Sequence, residues 1–146
     1  MNIHIAQIES AGLCSPTLAR SLDRLADLST FVDRLSGGGP LLTHPSLRAQ
    51  MRRASMEALA NAACAVEAES DHDYRDLLRR SRGALTELHI FARIARSAGA
   101  VALAQADELG LLADQADLSL AQSIKRPSGT RPSRRHGGPL SLEGAA

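Results

Sequence analysis

The chain has 146 residues with 17 basic and 16 acidic side chains, a net charge of +1 with histidine neutral. That length supports one hydrophobic core and not two, and so even a balance leaves any nucleic-acid role to the placement of charge rather than its total. Phe31, Tyr74 and Phe91 are the only aromatics, so the core must be Leu and Ala, which suits close helix packing and not a sheet.

Residues 1–14 read as an N-terminal arm. No basic stretch leads into an apolar run there, so no secretory signal is expected, and no segment reaches the length of a membrane span. Cys14 and Cys64 lack the spacing of metal ligands. They read as reduced thiols of a cytoplasmic protein, with Cys64 small and buried.

Four amphipathic helices follow over residues 15–126. Ser15-Pro16 opens the first, Ser as N-cap and Pro at the position where its missing N–H costs nothing. Leu18, Leu22, Leu25, Leu28, Val32 and Leu35 then recur at three and four until Gly37-Gly38-Gly39-Pro40 stops the helix. The second begins near Thr43 to Ser46, with Pro45 in its first turn. It carries Leu47, Met51, Ala54, Ala58, Leu59, Ala62 and Val66 to about Ala68. Ser70 with Asp73 resembles a capping box in which Asp stands for the usual Glu, and it starts a third helix that Gly99 ends. A fourth spans about Ala100 to Arg126, with Leu109, Leu112, Ala116, Leu120 and Ile124 on one face and Pro127 forbidding more. Short connections between helices of similar length make neighbours antiparallel. The expected fold is therefore all-α, an up-down-up-down four-helix bundle.

The tail, 127–146, is Pro, Gly, Ser and Arg. It has too little apolar surface to offset its ordering entropy and is expected to be disordered. Its three Arg against Glu143 give it +2, leaving −1 for the rest of the chain.

Helix three divides into sectors at 100° per residue. One holds Tyr74, Leu78, Ser81, Leu85, Leu88 and Ala92, and must face the core. A second holds Arg75, Arg79, Arg82, Thr86, His89, Arg93 and Arg96, a stripe about 30 Å long at 1.5 Å per residue. Guanidiniums in line suit bidentate contact with a phosphate backbone, and Arg48, Arg52 and Arg53 of helix two add to them. The same stripe also reads as a solvated face whose Arg pair with carboxylates of neighbouring helices or subunits. No aromatic accompanies it, which argues against base stacking. A third sector carries Gly83, Glu87, Ile90 and Ile94. This is either a second buried seam, an interface between subunits, or the margin of a wide core.

Other chemistry finds no support. Glu69 and His72 have the Glu-x-x-His spacing of a di-iron bundle, but only once and at a helix junction, so no metal is expected. Ser55 and Ser81 have no His nearby in the chain, and no phosphate loop with its Lys-Ser/Thr is present. The expectation is no enzyme and no cofactor.

Gln50-Met51-Arg52-Arg53-Ala54, then Asn61-Ala62-Ala63, then Gly83-Ala84-Leu85-Thr86-Glu87-Leu88 together resemble a family of four-helix bundles. It is the one first met as the protein encoded in intervening sequences of bacterial 23S ribosomal RNA, the S23 family. That family runs Q-x-R-R-A on its second helix, N-I-A-E-G soon after and G-S-x-x-E-L on its third. The chain departs from it with Cys64-Ala65 in place of Glu-Gly and Ala84 in place of Ser. The resemblance implies a ring of subunits, usually five, and a buried interhelical polar contact for Asn61. It also implies association with structured RNA, or, through the similar accessory variability determinant of diversity-generating retroelements, with a reverse transcriptase.

Overall fold

The computed structural model describes residues 14–126, and the expectations for the arm before Cys14 and for the tail from Pro127 lie outside them. Four helices make up most of the described chain: α1 Pro16–Ser36, α2 Pro45–Cys64, α3 Asp71–Ser97 and α4 Leu103–Lys125. Among the described residues there is no strand, and no helix is long and apolar enough to cross a membrane.

Local chemistry sets the ends of each helix. The Ser15 hydroxyl accepts the Leu18 amide at 3.2 Å, with Pro16 first in α1. A short 3-10 turn, Gly39–Thr43, turns the chain and drops Leu41 into the core. The second helix ends earlier than its apolar pattern suggests, at Cys64, and tightens into a 3-10 turn over Ala65–Glu67. At the start of α3 the Ser70 hydroxyl accepts the Asp73 amide at 3.0 Å. The reciprocal half of a capping box is replaced: Asp is one methylene shorter than Glu, and its carboxylate accepts a hydrogen bond from the Ser70 hydroxyl at 2.6 Å. That bond holds the Asp73 carboxyl below its usual range.

Gly99 ends α3 in the left-handed conformation, φ 68°. The Gly99 amide bonds the Arg96 carbonyl, and the Ala100 amide reaches back to Ala95 at 2.8 Å, closing the helix terminus. This closure moves the start of α4 from the expected Ala100 to Leu103. Ala100 and Val101 instead turn inward and plug the end of the core.

Cross-links between helices fix their directions. From α1 to α2, Ser29 donates to the Ser55 carbonyl and Asp33 pairs with Arg52. From α2 to α3, Arg53 pairs with Glu87 and the buried Ser81 hydroxyl donates to the Ala58 carbonyl at 2.7 Å. From α3 to α4, Arg82 pairs with Asp117 and His89 with Asp114. On each pair of helices the partner's number falls as the residue number rises, so neighbours run antiparallel. Helix α4 closes the bundle against α1. There Ser21 meets Ser119 at 2.9 Å and Ser123 at 3.2 Å, a fully enclosed hydroxyl cluster. Nearby the Arg126 guanidinium donates to the Thr17 hydroxyl at 3.3 Å.

The core follows the expected stripes, with Leu22, Leu25, Met51, Leu78, Leu85, Leu88, Leu109 and Leu120 all buried. Burial pushes the Tyr74 hydroxyl above its ordinary pKa. Three expectations need correction. Leu112 is half-buried, because it sits at the edge of the α4 stripe. Cys64 is exposed, since 100° steps carry it to the outer face of α2 past the buried Ala58 and Ala62. Asn61 makes no interhelical hydrogen bond among the described residues; its amide donates to the Glu57 carbonyl one turn back in the same helix.

Candidate nucleic-acid interface

The arginine-bearing sector of α3 lies on the side that faces α4, and this placement divides its members. Arg82 forms a bidentate pair with Asp117, Nε to Oδ1 at 2.6 Å and Nη2 to Oδ2 at 2.9 Å. The hydrogen bond outweighs partial burial and raises the guanidinium's pKa further. One step along the same seam, His89 Nε2 lies 3.2 Å from Asp114 Oδ1. The two central members of the stripe are thus partnered within the molecule.

Its outer members are not. Among the described residues no carboxylate pairs with Arg75, Arg79, Arg93 or Arg96. At 1.5 Å per residue, Arg79 and Arg93 stand about 21 Å apart along the helix, so the stripe is two cationic stations with a neutralised stretch between them. At the second station α3 and α4 enclose a groove of about 390 Å³. Arg93 and Arg96 form one wall, Asp107 and Asp114 the other, and Ala92, Ala106 and Gly110 line its floor.

The arginines of α2 do not join this surface. Arg52 turns toward α1 and pairs with Asp33 at 2.9 Å. Arg53 turns toward α3's other side, where it binds Gln50, Glu57 and Glu87 at 3.0, 2.7 and 2.7 Å. Arg48 is half-buried and has no ion pair among the described residues.

The third sector of α3 is outside the core. Ile90 is 52% exposed and Ile94 49%, which removes the wide-core reading for both. Gly83 is exposed and nothing lies within 4 Å of where its Cβ would be. Glu87 is held by Arg53 at the margin of the same face. A matching feature on α4 escapes a search for core stripes alone. Leu111 and Leu118, 57% and 63% exposed, fall on one line opposite Leu109, Ala116 and Leu120. The signal was their spacing of seven, two turns on the polar side of the helix.

No family model matches the chain, and no curated protein matches it. Among solved structures it is similar to a crystal structure, at 1.70 Å resolution, of a protein of unknown function from the S23 ribosomal protein family of Bacteroides thetaiotaomicron VPI-5482. The superposition has a TM-score of 0.70 with 15% sequence identity, and covers 75% of this chain and 99% of that one. At that identity the likeness is one of fold, the same fold that the Gln50 to Leu88 motifs imply.

Proposed function

We propose that the protein is a non-catalytic, cytoplasmic helical bundle that assembles with copies of itself, as a ring of five, and associates with structured RNA through α3. The observation that carries the RNA reading is the set of four guanidiniums, Arg75, Arg79, Arg93 and Arg96, that have no carboxylate partner among the described residues. Guanidiniums without an ion pair, three of them exposed and Arg75 half-buried, gain by releasing counterions from a phosphate backbone, whereas Arg82 would first have to give up Asp117. Two stations on one helix suit an RNA whose fold brings phosphates to both, more than a single strand laid along the whole stripe. The exposed Ile90 and Ile94 support the assembly.

Gel-shift titration of a hairpin RNA at two salt concentrations tests the RNA reading. Binding should weaken steeply with salt. Arg75→Glu with Arg96→Glu, at the ends of the stripe and away from the isoleucines, should weaken binding alike for unrelated sequences and flatten the salt slope by about 1 per arginine removed. No shift at low salt overturns the RNA reading and turns the search to a protein partner such as a reverse transcriptase.

A further inference from the structure

The groove between α3 and α4 at the second cationic station has walls of opposite charge. The pairs Arg82–Asp117 and His89–Asp114 set the antiparallel register of the two helices, and continuing it brings Asp107 level with Arg93. Arg93, Arg96 and Asp107 are all exposed, and among the described residues none of them is in an ion pair. The open groove lies between the two walls. Nothing stands within 4 Å of where a Gly110 Cβ would be, so the absent side chain leaves the floor clear, and Leu111 adds an apolar edge.

A groove for phosphate alone gains nothing from Asp107, because its carboxylate repels the backbone that the arginines attract. One nucleotide carries both polarities, a phosphate at one end and N–H donors on the base edge at the other. Packed helix axes stand about 8–10 Å apart, comparable to the span from phosphate to base edge, and a void of about 390 Å³ is within the range of small-ligand sites. The bases differ in what they offer a carboxylate. Guanine sets two adjacent donors, N1–H and the N2 amino group, against its two oxygens. Adenine and cytosine place a ring-nitrogen acceptor beside their amino group, and uracil flanks its one donor with carbonyls, so each sets a lone pair against the carboxylate. Asp114 already lies against His89, which leaves Asp107 to accept.

We infer that this groove takes one unpaired guanine nucleotide of an RNA, its phosphate on Arg93 and Arg96 and its base edge on Asp107. The inference rests on the RNA reading proposed above and adds to it a base preference that phosphate contacts alone lack. An arginine's guanidinium plane covers the base where no aromatic does. The groove lies on the far side of Arg93 from the hollow at Ile90 and Ile94, so assembly through the isoleucines leaves it open.

Fluorescence-anisotropy titration of hairpin RNAs that differ only in one unpaired loop base tests this. The guanine hairpin should bind about five- to tenfold tighter than its adenine, cytosine or uracil counterparts, the lower part of the range for a bidentate base contact because the groove is open to water. Inosine, which lacks the N2 amino group, should lose most of that advantage. Asp107→Asn removes the second acceptor and Gly110→Leu fills the floor. Each should bring the ratio of guanine to adenine binding close to one while the adenine hairpin still binds, with circular dichroism as the check on folding. A wild type that binds all the hairpins equally overturns the guanine site and leaves the RNA reading standing. A preference that survives both substitutions places base reading elsewhere and overturns the site as well. If Asp107→Asn strengthens every hairpin by the same factor, the ratio unchanged, the carboxylate only opposes the arginines, and the inference falls. No binding of any hairpin at low salt overturns the RNA reading itself, and the guanine site with it.

Discussion

Leu88 is fully enclosed in α3, and cutting it back to Ala removes apolar contacts on every side and leaves a cavity. Chemical denaturation should show Leu88→Ala to be about 2–5 kcal/mol less stable than the parent. A smaller and pH-dependent effect belongs to Ser70. Its hydroxyl accepts the Asp73 amide and donates to the Asp73 carboxylate, so Ser70→Ala should cost about 0.5–2 kcal/mol. The Asp73 carboxyl is held low chiefly by that hydroxyl. Its contribution is therefore complete above the ordinary aspartate range and is lost as pH falls through the lowered folded value. Titration followed by NMR should find Asp73 shifted downward in the parent and returned toward its ordinary range in Ser70→Ala.

Helix interiors hold two glycines that serve as opposite tests. Neither Gly83 nor Gly110 has an atom within 4 Å of its missing Cβ, so Ala fits both, and each substitution should stabilise the isolated bundle by about 0.5–1 kcal/mol through helix propensity. At Gly83 the added methyl also fills the dent that a neighbouring copy would occupy. Gly83→Ala should therefore raise the thermal midpoint of the monomer while weakening association in sedimentation, whereas Gly110→Ala should leave association unchanged. The ends and inward faces of these helices were legible in the sequence because they depend on local spacing: Ser15-Pro16, Ser70, Gly99 and the leucine repeats each act within a turn or two. The fate of the arginine stripe was not. Periodicity gives the angle of Arg82 about its own axis, but its pairing with Asp117 depends on how far α3 and α4 slide past one another, which no single helix encodes. Cys64 misled for a related reason, since a small residue type suggests burial while its angle places it outward. Leu111 and Leu118 show in the sequence only as a spacing of seven on the polar side of α4, outside the inward stripe that marks the core.

Taken whole, the molecule has a polar side and a sticky one. Helix α1 turns Arg20, Asp23, Asp27 and Arg34 to water, and the exposed apolar residues of the helices lie on α2, α3 and α4. Closure of α4 on α1 brings Thr17 and Arg126 within a hydrogen bond of each other, so the first turn of the bundle and its last residues share one corner. The order of the helices along the chain is thus separable from their order in space. A circular permutant in which a short Gly-Ser linker joins Arg126 to Cys14 and new termini open at the exposed Gly38 would run α2, α3, α4, α1 through the same packing. It should melt in one cooperative step with the helical spectrum of the parent, as measured by circular dichroism. A permutant that loses that spectrum would mean that the Gly37–Gly39 hinge, and not the serine-lined seam between α1 and α4, is what holds the first helix in place.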